Sequence, residues 1–108
     1  MDKVRNINII IDKTVRSIDG LFREIKFLKR IDFIRFKRND IKNLSYMFKG
    51  CSSLEEINLS NFNIDNVIDM SYMFNNCSSL KEIDLINFNT TNVKDMSCMF
   101  KSCSFSKF

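Results

Sequence analysis

The side chains with most chemical reach in this 108-residue chain are four cysteines, six methionines and seventeen Lys/Arg. Thiolates and thioethers can hold soft metals, and a free thiolate can attack an electrophile. Histidine is absent altogether. That removes the commonest general base and metal ligand, and with it any Ser-His-Asp or Cys-His nucleophile built within the chain. A zinc site would have to be all-Cys or draw on carboxylates. No CxxC pair exists, so a metal ladder would need one thiol from each of several separate segments.

Spacing assigns these residues a different role. Cys51, Cys77 and Cys103 stand 26 residues apart, and Ile25 occupies the same position one step earlier. A residue exchangeable with Ile is read as a small buried hydrophobe. Met70 and Met73, like Met96 and Met99, take apolar helix-face spacing and are expected to pack, not to bind copper. Phe22, Phe48, Phe74 and Phe100 form a fourth ladder at the same step. Cys98 replaces Tyr46 and Tyr72 at a partly exposed position, where a free thiol is expected. Neither a catalytic site, a cofactor site nor a metal site is expected.

The elements that would position these ladders follow from the repeat itself. Ser45-Tyr46-Met47-Phe48 recurs at Ser71 and, with one change, at Ser97. The apolar ruler runs back through Leu28, Ile31, Phe33 and Phe36, and then aligns Ile7 with Phe33 and Ile10 with Phe36. The chain therefore divides into a partial unit at 1–14, units at 15–40, 41–66 and 67–92, and a partial unit at 93–108, in one repeat domain covering 1–108. In each unit Val67, Met70, Met73, Phe74 and Cys77, or their equivalents, predict a short helix. Thr14, Asp40, Asn66 and Asn92 are placed to accept hydrogen bonds at its start, and Gly50, Asn76 and Ser102 to close it in the left-handed region. Ile83 and Leu85 alternate with charged residues and predict a short strand. Asn61 and Asn87 are expected to bridge neighbouring units. No such unit can bury its apolar face alone. The expected architecture is an α/β solenoid of about four coils, a leucine-rich-repeat-like stack of short parallel strands and short helices.

The run through Leu80, Ile83, Leu85, Phe88, Asn92, Val93, Met96 and Ser97 resembles the 26-residue repeat of BspA-like leucine-rich-repeat surface proteins. The resemblance is close from Ile41 to Cys103. It implies a non-enzymatic protein of the cell surface or secreted space that adheres to host or matrix molecules. No export leader, no lipid-anchoring Cys near the N-terminus and no apolar run of ~20 residues is read in the chain.

Charge is uneven. Residues 1–40 carry eleven Lys/Arg against six Asp/Glu, and residues 41–108 carry six against seven. Arg23, Lys26, Lys29, Arg30, Arg35, Lys37 and Arg38 form a candidate patch for an anionic partner. A solvated face on a divergent first unit is the preferred reading, and nucleic acid is not favoured. The leading expectation is a binding module for a protein or glycan partner, presenting Glu56, Asn58, Glu82 and Asp84 from its strand surface. The alternatives are an assembly unit that associates end to end through its ends, with Phe105 and Phe108 at one of them, or a remnant of a longer repeat protein.

Overall fold

A computed structural model describes residues 5–11, 17–36, 38–86 and 88–104. Three parallel strands, β1 (Asn6–Ile11), β2 (Arg30–Phe36) and β3 (Glu56–Asn58), form one sheet in the order β1-β2-β3. Between β2 and β3 the repeat period sets the register: Arg30 pairs with Glu56, Ile31 with Ile57 and Asp32 with Asn58. The partners are 26 residues apart, so equivalent side chains of successive units stack.

The extension of this ruler to the N-terminus needs correction. Ile7 pairs with Ile31 and Ile9 with Phe33, two residues short of the expected alignment of Ile7 with Phe33. A bulge between Ile9 and Ile10 then sets Ile10 against Arg35 and Ile11 against Phe36. In a run as uniformly apolar as Ile9-Ile10-Ile11, side-chain pattern specifies register weakly, and the sequence cannot choose between neighbouring slips.

The helices are replaced by something else. Among the described residues there is no α-helix; residues 45–50, 71–76 and 97–102 are tandem turns. The backbone amides alternate in direction. Tyr46, Phe48 and Gly50 donate to the carbonyls of Ser71, Met73 and Asn75 in the next unit, at 3.0, 2.9 and 2.8 Å. Met47, Lys49 and Cys51 donate back three residues within their own unit. The same alternation runs from Gly20, Phe22 and Glu24 into the second unit, and from Tyr72, Phe74 and Asn76 into the fourth. A six-residue helix would be marginal alone and would leave its terminal amides unpaired. Stacked turns pair them with the neighbouring unit instead.

Left-handed backbone makes this possible. Gly50, Asn76 and Ser102 have φ of 76°, 62° and 65°, at the positions read as closing residues. A second left-handed row, Gly20, Tyr46, Tyr72 and Cys98, interrupts what would otherwise be the helix. The capping assignments also change. Asn43, Asp69 and Asp95 accept from the amides of Ser45, Ser71 and Ser97 at 2.8–2.9 Å. Asn66 and Asn92 donate instead, to the carbonyls of Asn39 and Asp65 in the preceding unit. Thr14 lies outside the described residues.

The core is the set of ladders. Phe48 and Phe74 are fully buried, with rings 5.3 Å apart and 9° from parallel. Phe22 continues the stack on one side at 5.6 Å and Phe100 on the other at 5.7 Å. Leu44, Met47, Leu54, Val67, Met70, Met73 and Leu80 fill the space around them. The cysteine row is buried at Cys51 and Cys77, and each thiol donates to a phenylalanine carbonyl of the preceding unit, Phe22 and Phe48, at 3.1 Å. Asn61 Nδ2 reaches the Phe33 carbonyl at 3.2 Å, joining two units as expected. Asn87 lies outside the described residues.

Candidate functional site

The sheet surface follows from strand alternation. In β3 Ile57 turns toward the core, while Glu56 and Asn58 on either side of it are exposed. One unit later Glu82 and Asp84 are exposed on either side of the half-buried Ile83. The strand predicted there does not form: no amide from Lys81 to Leu85 donates to another described backbone group. Register explains the interruption. Arg30, Glu56 and Glu82 are equivalent residues, so the cation that sits opposite Glu56 in β2 is replaced on the other side by a second carboxylate. Like charges directly opposite destabilise a strand pair.

The result is an open groove of about 560 Å³ between β3 and the following segment. Glu56, Asn58, Glu82 and Asp84, the four residues singled out on the strand surface, all line it. Glu55 adds another carboxylate, Ile57 and Ile83 supply an apolar floor, and Arg30 closes one end. A second groove of about 570 Å³, lined by Ser78, Ser79, Lys81 and Ser104, shares Glu55, Glu56 and Glu82 with the first. Arg30 offsets only one of the groove carboxylates. Its Nε and Nη2 donate to the two oxygens of Asp32 at 3.0 and 3.1 Å, and Nη1 donates to Glu56. The Asp32 carboxylate first, and Glu56 second, hold the guanidinium above its usual range. Asn58 and Asp84 each use Oδ1 to accept a local amide, from Ser60 and Ile86, at 3.0 Å. The rest of each side-chain head stays available to a partner.

The basic residues are not brought together as one patch. Arg30 joins the groove. Arg38 bonds both oxygens of Asp40, at 2.7 and 3.0 Å, and holds that carboxyl below its usual range. Lys26 lies 3.8 Å from Glu24. Arg23 lies over the Tyr46 ring, 5.1 Å from its centre. Lys29 and Arg35 are exposed, and Lys37 lies outside the described residues.

Sequence reasoning missed two features. Arg30 belongs with the carboxylates across the sheet, which becomes visible only once β2 and β3 are in register. Tyr46 and Tyr72 stack at 5.0 Å and 4° from parallel, with Arg23 and Lys49 over the first ring. Their 26-residue spacing was the available signal, but it could not reveal left-handed backbone at two tyrosines.

The cysteines offer little chemistry. Burial holds the Cys51 thiol up at about 11, and pushes Cys77 higher still and Cys103 upward to a lesser degree. Thiols so raised are poor nucleophiles. Among the described residues no group of three or more Cys, Asp or Glu is arranged to hold a metal ion. No helix of the described residues is long and apolar enough to cross a membrane.

With the geometry in place, similarity to known proteins can be weighed. The model of the family DUF285, described as Mycoplasma protein of unknown function, matches residues 14–107. The chain belongs to this family. The match takes in β2, β3, all the turn segments and the groove, leaving out residues 1–13, which include β1, and residue 108. No curated protein and no solved structure matches the chain. Membership in DUF285 thus identifies relatives without supplying an activity.

Proposed function

We propose that this DUF285 chain is a leucine-rich-repeat-type solenoid that acts without catalysis, binding an extended basic segment of a protein partner in the groove beside β3. The observation that carries the reading is the convergence of Glu55, Glu56, Glu82 and Asp84 on one open groove with an apolar floor. A carboxylate-lined groove favours cationic side chains, and two isoleucines on its floor favour alternate apolar ones. The resemblance to BspA-like surface repeats supports adhesion as the setting. The sulfated-glycan and nucleic-acid readings lose ground, because Arg30, Arg38 and Lys26 are already engaged by carboxylates. Absence of histidine and the raised thiol pKa values support a non-catalytic role.

Fluorescence anisotropy with a dye-labelled peptide of alternating Lys and Val tests the reading. Binding should weaken at high salt and be lost in the double variant Glu82→Lys/Asp84→Lys, while the matching Glu/Val peptide should not bind. Equal binding of both peptides, or binding unchanged by the double variant, would remove the groove from consideration. A second reading, assembly of the units end to end, is favoured by the backbone ladder.

A further inference from the structure

We propose that this chain binds a small aromatic phosphate monoester in a pocket formed by Arg5, Lys26, Phe27 and Ser53. The inference does not depend on the groove. It asks for a single oxyanion and not for a polymer tracking scattered basic residues.

The pocket arises where the repeat is broken. The second and third units carry Ser52-Ser53 and Ser78-Ser79, and the first unit has Lys26-Phe27 in their place. Between the serine pairs the fit is close: the Ser78 and Ser79 hydroxyls both donate to the Ser52 carbonyl, at 3.4 and 2.6 Å. One step earlier, the hydroxyl of Ser53, the equivalent of Ser79, donates to no described group. A phenyl ring cannot close against its neighbours as a hydroxymethyl group does. Phe27 stays 43% exposed, and a pocket of about 290 Å³ opens beside it, lined by Arg5, Lys26, Phe27 and Ser53. These residues come from three successive units, so the pocket lies on the flank of the stack and not on an end face.

No carboxylate lines it. The Arg5 guanidinium makes no hydrogen bond or ion pair with a described residue. Its backbone is held in place, because the Arg5 carbonyl accepts from the amides of Lys29 and Arg30 at 2.7 and 3.0 Å. Arg5 and Lys29 immediately precede the paired residues Asn6 and Arg30, so two cations stand side by side where the sheet begins. Like charges so placed favour an anion nearby. Lys26 meets Glu24 only at 3.8 Å, between side chains 69% and 48% exposed. Such a pair is weak, and the ammonium keeps donors for a ligand.

This donor set selects the ligand. A guanidinium fork meets two oxygens of one phosphate, the ammonium adds a point charge, and the serine hydroxyl adds a further donor. A phosphate monoester carries about −1.5 to −2 charges at neutral pH and matches two cations better than a singly charged carboxylate. The Phe27 ring offers an apolar wall to the group esterified to the phosphate, and an aromatic group pairs with it best. The volume falls at the low end of the roughly 300–1,000 Å³ of small-molecule sites, which suits a ligand of this size.

NMR titration of the isotope-labelled 108-residue chain with phenyl phosphate tests the assignment. The amides of Arg5, Phe27 and Ser53 should shift saturably, and the affinity should fall as salt is added. Inorganic phosphate and benzoate should each bind there more weakly. Arg5→Gln should weaken phenyl phosphate by about tenfold or more, and Lys26→Gln gives the same test should the first change disturb β1. Phe27→Ser restores the residue of the repeat and should reduce phenyl phosphate to the affinity of inorganic phosphate. The groove variant Glu82→Lys/Asp84→Lys should bind phenyl phosphate as the parent chain does. The spectrum of each variant shows whether it is folded. No saturable shift, shifts centred on other residues, unchanged affinity in folded Arg5→Gln and Lys26→Gln, or benzoate binding as tightly as phenyl phosphate would each overturn the proposal.

Discussion

Replacing Phe74 by Leu tests whether the phenylalanine ladder is the structural spine. Phe74 is fully buried between two nearly parallel rings, Phe48 at 5.3 Å and Phe100 at 5.7 Å. Truncation to Ala would cost about 3–5 kcal/mol, which threatens a domain whose total stability is about 5–15 kcal/mol. Leu keeps most of the volume and removes both ring pairs. At about 0.5–1.5 kcal/mol per pair, the expected loss is about 1–3 kcal/mol. Phe88 is the internal control: half-buried against the core, it has one ring pair among the described residues, with Phe62 at 6.3 Å and 35°. Its replacement by Leu should cost about 0.5–1 kcal/mol at most. Urea unfolding followed by circular dichroism suits a chain without Trp. A loss near 2 kcal/mol lowers the midpoint by about 1 M at a typical slope. If Phe74→Leu costs no more than Phe88→Leu, stacking along the ladder does not stabilise the fold and the assignment of these rings as its spine is wrong.

Three further outcomes follow from the thiols and the left-handed row. Cys51 holds its proton up to about 11 in the fold against an ordinary value of 9.0, and Cys77 is shifted the same way. Below pH 9 both folded and unfolded chains are protonated and nothing changes; above it the unfolded chain releases protons first, so stability falls as pH rises toward 11. For Cys51 alone the loss approaches about 2–3 kcal/mol, and Cys51→Ala should flatten the decline in melting temperature. Thiol labelling of the native protein should modify the half-exposed Cys98 before Cys103, sparing Cys51 and Cys77 until denaturant is added; early modification of Cys77 would contradict its burial. Gly50→Ala should cost about 1–2 kcal/mol, because the position is left-handed and the new methyl meets the Glu24 carboxyl group. Adding Glu24→Ala should recover part of that loss, and no recovery would place the whole cost in the backbone.

The 26-residue period, the phenylalanine and cysteine ladders and the left-handed residues at Gly50, Asn76 and Ser102 were legible in the amino-acid order, whereas Met96, read as a packing residue, is 46% exposed. They depend on residue type repeated at fixed spacing, and each recurrence strengthens the next. The same order marked Glu56, Asn58, Glu82 and Asp84 as surface residues of one strand position, because period-two alternation separates them from Ile57 and Ile83. Tertiary structure alone decided how the backbone between the ladders is paired. Met47, Phe48 and Cys51 satisfy helix spacing, yet a neighbour one unit away offers each alternate amide a carbonyl, and tandem turns with left-handed Tyr46 and Tyr72 accept that offer. Periodicity within one segment carries no information about partners 25 residues along the chain. The slip of β1 against β2 has a similar origin, since consecutive isoleucines fit several registers equally. The groove exists for a further reason: Arg30, Glu56 and Glu82 become neighbours only when units stack, and their charges pair on one side of β3 and repel on the other.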